Sequence, residues 1–162
     1  ERPLRLGAAF FVRRRDGAVL VRTRPANGLL GGMTELPGTA WETDFDAASA
    51  ANQAPVAAAY RKLDKSVSHA FTHFALRLDI YVAEVRGRRA PTGYRFVPDC
   101  GLDQEAFPSV MRKVIEAVRQ NARTSCGKRA LVRGPKPEQG KELPSRKSVD
   151  PCLSRRFQWR TA

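Results

Sequence analysis

Apolar and polar residues alternate near the start of the chain in a pattern that predicts a β-hairpin. Residues 4–12 are mostly apolar, a polar segment follows, and residues 18–24 are again largely apolar. The polar segment ends in Asp16-Gly17, and both residue types tolerate the backbone angles of a tight turn. The two apolar runs are therefore predicted to pair as antiparallel strands.

Residues 66–85 carry the clearest strand signal in the chain. Over the nine residues 74–82, every second residue is apolar and falls on one side: Phe74, Leu76, Leu78, Ile80 and Val82. Strict alternation favours a strand over a helix, so we expect one long strand through the middle of a sheet. Residues 94–98 are predicted to form a short last strand.

Two segments are predicted to be helical. One is expected to begin near Asp46 and to run through an alanine-rich stretch that Pro55 interrupts. The other places apolar residues at helical spacing over residues 107–118, behind Pro108, which suits a first helical position. Strands and helices together predict an α+β fold, with a mixed sheet packed between helices.

Charge divides the chain into a predicted folded domain, residues 1–120, and a basic tail, residues 121–162. The net charge is +13, and the tail alone holds 11 Lys/Arg against 3 Asp/Glu, or +8. The tail also lacks apolar periodicity, so it is predicted to be disordered. Its charge indicates either a polyanionic partner such as nucleic acid or simply a soluble basic extension.

The cysteines and the terminus give expectations about compartment. Cys100, Cys126 and Cys152 are widely spaced and odd in number, so neither a zinc site nor a disulfide framework is predicted. No apolar run or signal sequence indicates a membrane, and a cytoplasmic monomer is expected. The opening Glu1 and the residues after it resemble the end of a linker, which predicts a fragment of a longer protein.

A glycine-rich loop at residues 27–41 joins the second predicted strand to the rest of the chain. Leucines, Met33 and Trp41 make it too apolar for a solvated linker, so it is expected to fold back onto the core. It lacks both common glycine-rich phosphate-binding motifs. A buried structural loop is the favoured interpretation.

Three segments taken in order resemble the C-terminal domain of MutY-type adenine DNA glycosylases. They are residues 28–38 (GLLGGMTELPG), 69–74 (HAFTHF) and 107–110 (FPSV), and the resemblance covers about residues 4–119. It implies a Nudix-like domain that recognises 8-oxoguanine opposite adenine in double-stranded DNA. The family's catalytic domain and its [4Fe-4S] cluster have no counterpart here, so no cofactor, no catalytic residue and no glycosidic cleavage are expected in this chain. The implied location is the bacterial nucleoid.

An active Nudix hydrolase, acting on or merely binding a free oxidised nucleoside triphosphate, is the alternative. That activity needs several carboxylates on one helix to bind Mg²⁺. Counting from Gly38 places Asp44 at the first acidic position, but the others fall on uncharged residues: Asn52, Gln53, Val56 and Ala57. Metal-dependent hydrolysis is therefore not expected.

The resemblance also implies which residues read the lesion. 8-Oxoguanine carries a hydrogen on N7, where guanine has an acceptor, so a protein can recognise it with an acceptor of its own. Thr72 occupies the family's Ser/Thr position and supplies a hydroxyl and a carbonyl. Phe71 matches the wedge beside the base, and His73 would contact the lesion or a neighbouring phosphate.

Structural roles are open for several of these residues. Phe71 is also compatible with a core position, and His69 with a hydrogen-bonded structural histidine. His69 and His73 share the spacing of some zinc ligands, but on one strand they would lie about 13 Å apart, which excludes a shared metal ion. His69 and three arginines are candidate contacts to the DNA backbone, and the arginines equally fit ordinary surface charge: Arg22, Arg24 and Arg77.

Overall fold

The computed structural model describes residues 2–129, with side chains described for residues 2–124. Its strands, in chain order, are β1 (Leu4–Arg14), β2 (Val19–Thr23), β3 (Thr34–Glu35), β4 (Arg61–Lys62), β5 (Val67–Ala70), β6 (Ala75–Val85) and β7 (Tyr94–Val97). Two 3₁₀ helices, Ala50–Gln53 and Asp99–Gln104, precede the α-helix α1 (Ser109–Arg129). No described helix is both long and apolar enough to cross a membrane.

The strands form one mixed sheet in the order β3-β2-β1-β6-β4, with β5 also paired to β6 and β7 to β2. β1 and β6 run parallel in register along their whole length, from the Leu4–Ala75 pair to the Arg14–Val85 pair. The other pairings are antiparallel, including the predicted hairpin of β1 and β2. The predicted hairpin, the interior position of β6 and the short last strand are confirmed.

Each face of the sheet buries an apolar cluster. On one face, α1 contributes Val110, Val114 and Val118 to a cluster that includes alternate residues of β6. On the other face, Phe10, Leu20 and other side chains pack against the segment between residues 45 and 60. The alternation within β6 thus serves both faces, as a central strand requires.

The predicted helix near Asp46 is wrong, because the segment contains only the 3₁₀ turn Ala50–Gln53. The Asp46 carboxylate accepts the Ala48 N–H at 2.9 Å, which fixes a local turn rather than a helix start. Ala50 is the buried residue of the turn, so the segment has alanine content without an apolar stripe. Helices in proteins depend on such a stripe, and Pro55 blocks extension.

The predicted long strand over residues 66–85 is in fact the hairpin of β5 and β6. Residues 71–74 form the turn, in which the Phe71 N–H donates to the Phe74 carbonyl at 2.8 Å. The buried or half-buried residues of β5 and Phe71 fall on odd-numbered positions, whereas the fully buried residues over positions 74–80 fall on even-numbered positions, and this change of phase marks the reversal. His69 therefore lies on β5 and His73 in the turn, and the distance predicted for one strand does not apply.

The C-terminal part differs from expectation in two respects. α1 continues to Arg129, beyond residue 120 where the tail is predicted to begin, and residues 130–162 lie outside the described residues. Cys100, in the second 3₁₀ helix, is disulfide-bonded, so the prediction from cysteine spacing was wrong there.

Candidate functional site

A cleft of about 440 Å³ opens beside β1, β2 and the glycine-rich loop. Its wall combines the buried Glu35 and Leu36 with aromatic, thioether and cationic side chains. The residues that line the cleft include Arg5, Arg22, Arg24, Glu35, Gly38 and Trp41. Such a mixture of apolar surface and a few charged groups is typical of ligand sites.

Two arginines hold the carboxylate of Glu35 inside the cleft. The strand register places Glu35 opposite Arg22, and Arg22 Nε donates to Glu35 Oε1 at 2.6 Å. Arg24 Nη1 donates to the other oxygen, Oε2. Burial disfavours the charged form of Arg22, but the hydrogen bond and charge of Glu35 outweigh it, so the pKa of Arg22 is raised. The two guanidinium groups share one carboxylate, which leaves the cluster with one net positive charge.

Trp41 connects this cleft to the turn at residues 71–74, which we call the reader turn. The Arg24 guanidinium lies 5.3 Å from the centre of the Trp41 ring, within cation–π range. On the other side, the Trp41 ring centre is 5.7 Å from that of Phe71 and 6.3 Å from that of Phe74. The cleft and the reader turn are therefore neighbouring parts of one surface.

The reader turn stands on a base of stacked aromatic rings. Phe71 is half-buried and stacks on the buried Phe74 at 4.7 Å between ring centres. The Arg5 guanidinium lies 4.6 Å from the centre of the Phe74 ring. Thr72 and His73, between the two phenylalanines, are exposed. Packing below thus fixes the turn, while its two polar residues face solvent.

His69 supports the turn from β5. Its ring meets Phe71 edge-on at 4.7 Å, and its Nδ1 is buried without a hydrogen-bond partner in the described residues. Burial and then the charge of Lys113 lower the pKa of His69, which favours the neutral ring. This geometry fits a structural histidine better than a contact to the DNA backbone.

The predicted site residues fall into three groups. Phe71, Thr72 and His73 share the reader turn, and Arg22 and Arg24 lie in the neighbouring cleft. Arg77 is exposed on β6, where alternation places it on the face opposite Leu76 and Leu78. The structure therefore does not bring Arg77 into the cleft.

Sequence reasoning missed two residues of the site, Glu35 and Arg5. Glu35 is the more informative, because an acidic residue directly before the buried Leu36 in an apolar loop signals a paired carboxylate. Its partners could also be anticipated, since two arginines end the strand before the loop. Arg5 gave no comparable signal, because an arginine near the start of a strand is common.

The segment that would hold Mg²⁺ in a hydrolase does not fit the ion. Asn52 and Gln53 are exposed in the 3₁₀ turn and supply amides instead of carboxylates. The Asp46 carboxylate accepts a hydrogen bond from the Ala48 N–H, and the Glu35 carboxylate forms ion pairs with Arg22 and Arg24. Within the described residues, no three or more His, Cys, Asp or Glu side chains form a group that could hold a metal ion.

Comparisons with known proteins identify the fold. A family model described as a NUDIX domain matches residues 8–117. The C-terminal domain of mouse MUTYH, solved in complex with human PCNA, is similar with a TM-score of 0.58 and 20% identity, over 72% of this chain and 88% of that chain. The MutT protein from Methanosarcina mazei Go1 gives a TM-score of 0.60 and 18% identity, over 75% and 97%.

A third neighbour is the NUDIX domain of Shewanella oneidensis NrtR, solved with ADP ribose, with a TM-score of 0.55 and 16% identity over 75% of this chain and 88% of that chain. No curated protein matches the chain significantly in sequence. Identities this low show a shared fold and do not transfer a function. The predicted α+β fold with a mixed sheet and a helix is confirmed.

Proposed function

Since the chain belongs to the NUDIX domain family, we propose that it recognises 8-oxoguanine opposite adenine in duplex DNA. In this proposal it is the lesion-recognition domain of an adenine DNA glycosylase and works beside a catalytic domain that carries the iron–sulfur cluster. It would act in base-excision repair, in the cytoplasm of a bacterium. The single observation that carries the proposal is the reader turn, which presents two polar residues on a rigid aromatic base.

Hydrogen bonding at N7 explains how such a turn discriminates. The N7 hydrogen of 8-oxoguanine needs an acceptor, and Thr72 offers both a hydroxyl and a backbone carbonyl. Stacking of Phe71 on Phe74 limits the movement of the turn, so little ordering is needed when DNA binds. In this proposal the half-buried Phe71 lies beside an unstacked base, and the exposed His73 contacts a phosphate or a base.

Positive charge beside the turn supports DNA as the ligand. Arg5 lies over Phe74, next to the reader turn, and the Arg22–Arg24–Glu35 cluster keeps one net positive charge. Phosphate contacts position a protein on DNA, whereas base-edge contacts give specificity. Arg5 and Arg24 are therefore proposed to set affinity, and Thr72 to set preference for the lesion.

Competition binding tests the proposal. Thr72→Ala should reduce the preference for 8-oxoguanine over guanine duplexes by about 1 to 3 kcal/mol, if the hydroxyl is the acceptor. Thr72→Ser should retain the preference, and Thr92→Ala, in another exposed turn, is the matched control. The proposal fails if Thr72→Ala weakens both duplexes equally while Phe71→Ala and His73→Ala leave the ratio unchanged.

A second candidate function is binding of a free oxidised nucleotide, which the cleft favours. Its volume of about 440 Å³, the Trp41 ring and the paired arginines suit a base with an attached phosphate. Incubation with Mg²⁺ and 8-oxo-dGTP should release no pyrophosphate, because uncharged residues occupy positions 52, 53, 56 and 57, where the hydrolase pattern has charged side chains. Turnover comparable to that of a functional Nudix hydrolase would restore the hydrolase interpretation.

A further inference from the structure

A second basic surface lies at the end of the sheet opposite the reader turn. The turn between β1 and β2 and the loop after β6 meet there, because the Arg15 N–H donates to the Val85 carbonyl at 3.2 Å. Together they form what we call the distal arginine patch: Arg13, Arg14, Arg15, Arg86, Arg88 and Arg89. The carboxylates within the patch are Asp16 and Glu84, so its net charge is positive.

The members of the patch are not equivalent. The Arg14 guanidinium donates hydrogen bonds to the Asp16 carboxylate and, at 3.1 Å, to the Arg88 carbonyl. It also lies 4.7 Å from the centre of the Phe96 ring. Arg14 therefore joins the two loops and gives the patch a fixed shape. Glu84 reaches Arg15 at 3.7 Å, an exposed and weak ion pair.

Three arginines of the patch combine solvent exposure with a free guanidinium group. Arg86, Arg88 and Arg89 are exposed, and among the described residues their guanidinium groups make no hydrogen bond or ion pair. By contrast, Arg22, Arg24 and Arg95 are each paired with a glutamate. These three guanidinium groups repel one another and have no carboxylate partner, so they are available to bind an anion from outside the protein.

We infer that the distal arginine patch binds the phosphate backbone of duplex DNA at a distance from the lesion. Every cation in the patch is an arginine, whose planar guanidinium pairs with phosphate oxygens in bidentate geometry. A membrane surface fits less well, because the exposed large apolar residues of the described chain, Leu4 and Leu29, lie outside the patch. The inference rests on the proposed function for the position of the lesion.

The sheet sets the separation between the two surfaces. β6 begins at Ala75, directly after the reader turn, and its parallel register with β1 ends at Arg14 and Val85. At about 3.3 Å per residue, these ends are about 33 Å apart. That length corresponds to about ten base pairs of duplex, so DNA held at the reader turn reaches the patch only with a long flank.

Binding of the full chain to duplexes of two lengths tests the inference. Each duplex carries a central 8-oxoguanine:adenine pair, with flanks of either 6 or 15 base pairs. Arg86→Ala with Arg89→Ala should weaken binding to the long duplex about tenfold and lower the slope of log affinity against log salt by about 2. Binding to the short duplex should remain unchanged. The control variant, Lys65→Ala with Arg123→Ala, removes the same charge at two exposed positions outside the patch.

The outcomes separate this inference from the proposed function. The inference is overturned if the patch variant loses the same DNA affinity on both duplex lengths, if the control variant loses as much, or if affinity does not change. It is also overturned if the patch substitutions weaken binding to phosphatidylserine vesicles but do not affect binding to DNA. The same variants are measured on an undamaged 31-base-pair duplex, where the loss should also appear. If the wild-type chain shows no lesion preference but this loss persists, the proposed function fails and the patch stands. Unchanged thermal unfolding verifies that both variants fold.

Discussion

Replacing Glu35 with alanine should destabilise the protein far more than breaking an exposed ion pair of the same length. Glu35 Oε1 lies 2.6 Å from Arg22 Nε, and Asp79 Oδ2 lies 2.6 Å from Lys62 Nζ. The Glu35 side chain is 4% exposed, whereas the side chains of Asp79 and Lys62 are 16% and 48% exposed. Because the distances are equal, the access of water decides the difference between the two substitutions.

The magnitude follows from what each substitution leaves behind. Removing one partner of a buried ion pair typically costs about 3 to 5 kcal/mol. The side chains of Arg22 and Arg24 are 40% and 24% exposed and regain some hydration, so the lower end, about 3 kcal/mol, applies to Glu35→Ala. Asp79→Ala should cost under about 1 kcal/mol, since the Lys62 ammonium is already largely hydrated. Glu35→Gln keeps an acceptor and should cost about 1.5 kcal/mol.

Urea unfolding at neutral pH measures these free energies from the transition midpoint and slope. Adding 0.5 M NaCl should diminish the effect of Asp79→Ala but leave most of the effect of Glu35→Ala, because salt screens exposed pairs more strongly. Costs for Glu35→Ala and Asp79→Ala that agree within about 0.5 kcal/mol would refute the assignment of Glu35 as a buried clamp.

Two further substitutions test local features of the site. Gly38→Ala should destabilise by about 1 to 3 kcal/mol in thermal unfolding, because its Cβ would lie 2.7 Å from the Ala8 carbonyl oxygen; Gly87→Ala, with nothing within 4 Å, is the neutral control. The lowered pKa of His69 means that the folded state binds its proton less readily than the unfolded state. Stability should therefore be complete above pH 6.5 and fall as the pH decreases below that value, and His69→Gln should remove this loss in unfolding measured from pH 7.5 to 5. An identical pH profile for His69→Gln and the wild type would contradict this role.

Strands were easier to predict than the helix and the turn, for physical reasons visible at particular residues. The hairpin at Asp16-Gly17 and the alternation in β6 are local signals that tertiary contacts reinforce. The alanine-rich segment before Pro55 has helix propensity, but within its 3₁₀ turn only Ala50 is fully buried, so tertiary packing did not support a helix. The reversal at residues 71–74 was missed because the prediction extended the alternation that begins at Phe74 back over residues 66–73, where Val67 and Phe71 do not share its phase.

The part of the candidate site that lies in a sequence motif could be predicted, whereas contacts between residues far apart in the sequence could not. Residues 71–73 were predicted from a resemblance, and their exposure on an aromatic base is a structural finding. Trp41 and Phe71 meet although thirty residues separate them, and no local pattern indicates that contact. The pairing of Glu35 with Arg22 depends on the register of β2 with β3, which follows from how the glycine-rich loop folds.

Loss of carboxylates and loss of the helix are two independent reasons against metal-dependent hydrolysis. Charge alone would not rebuild a metal site, because ligands converge on one ion only when a regular helix places them on one face. The turn at Ala50–Gln53 has no such face, and Pro55 lies where further turns would be needed. The cleft, to which this turn contributes no residue, has an aromatic wall and paired arginines. Within the described residues, the NUDIX domain thus combines this cleft with a segment after Gly38 that offers no group of side chains able to hold a metal ion.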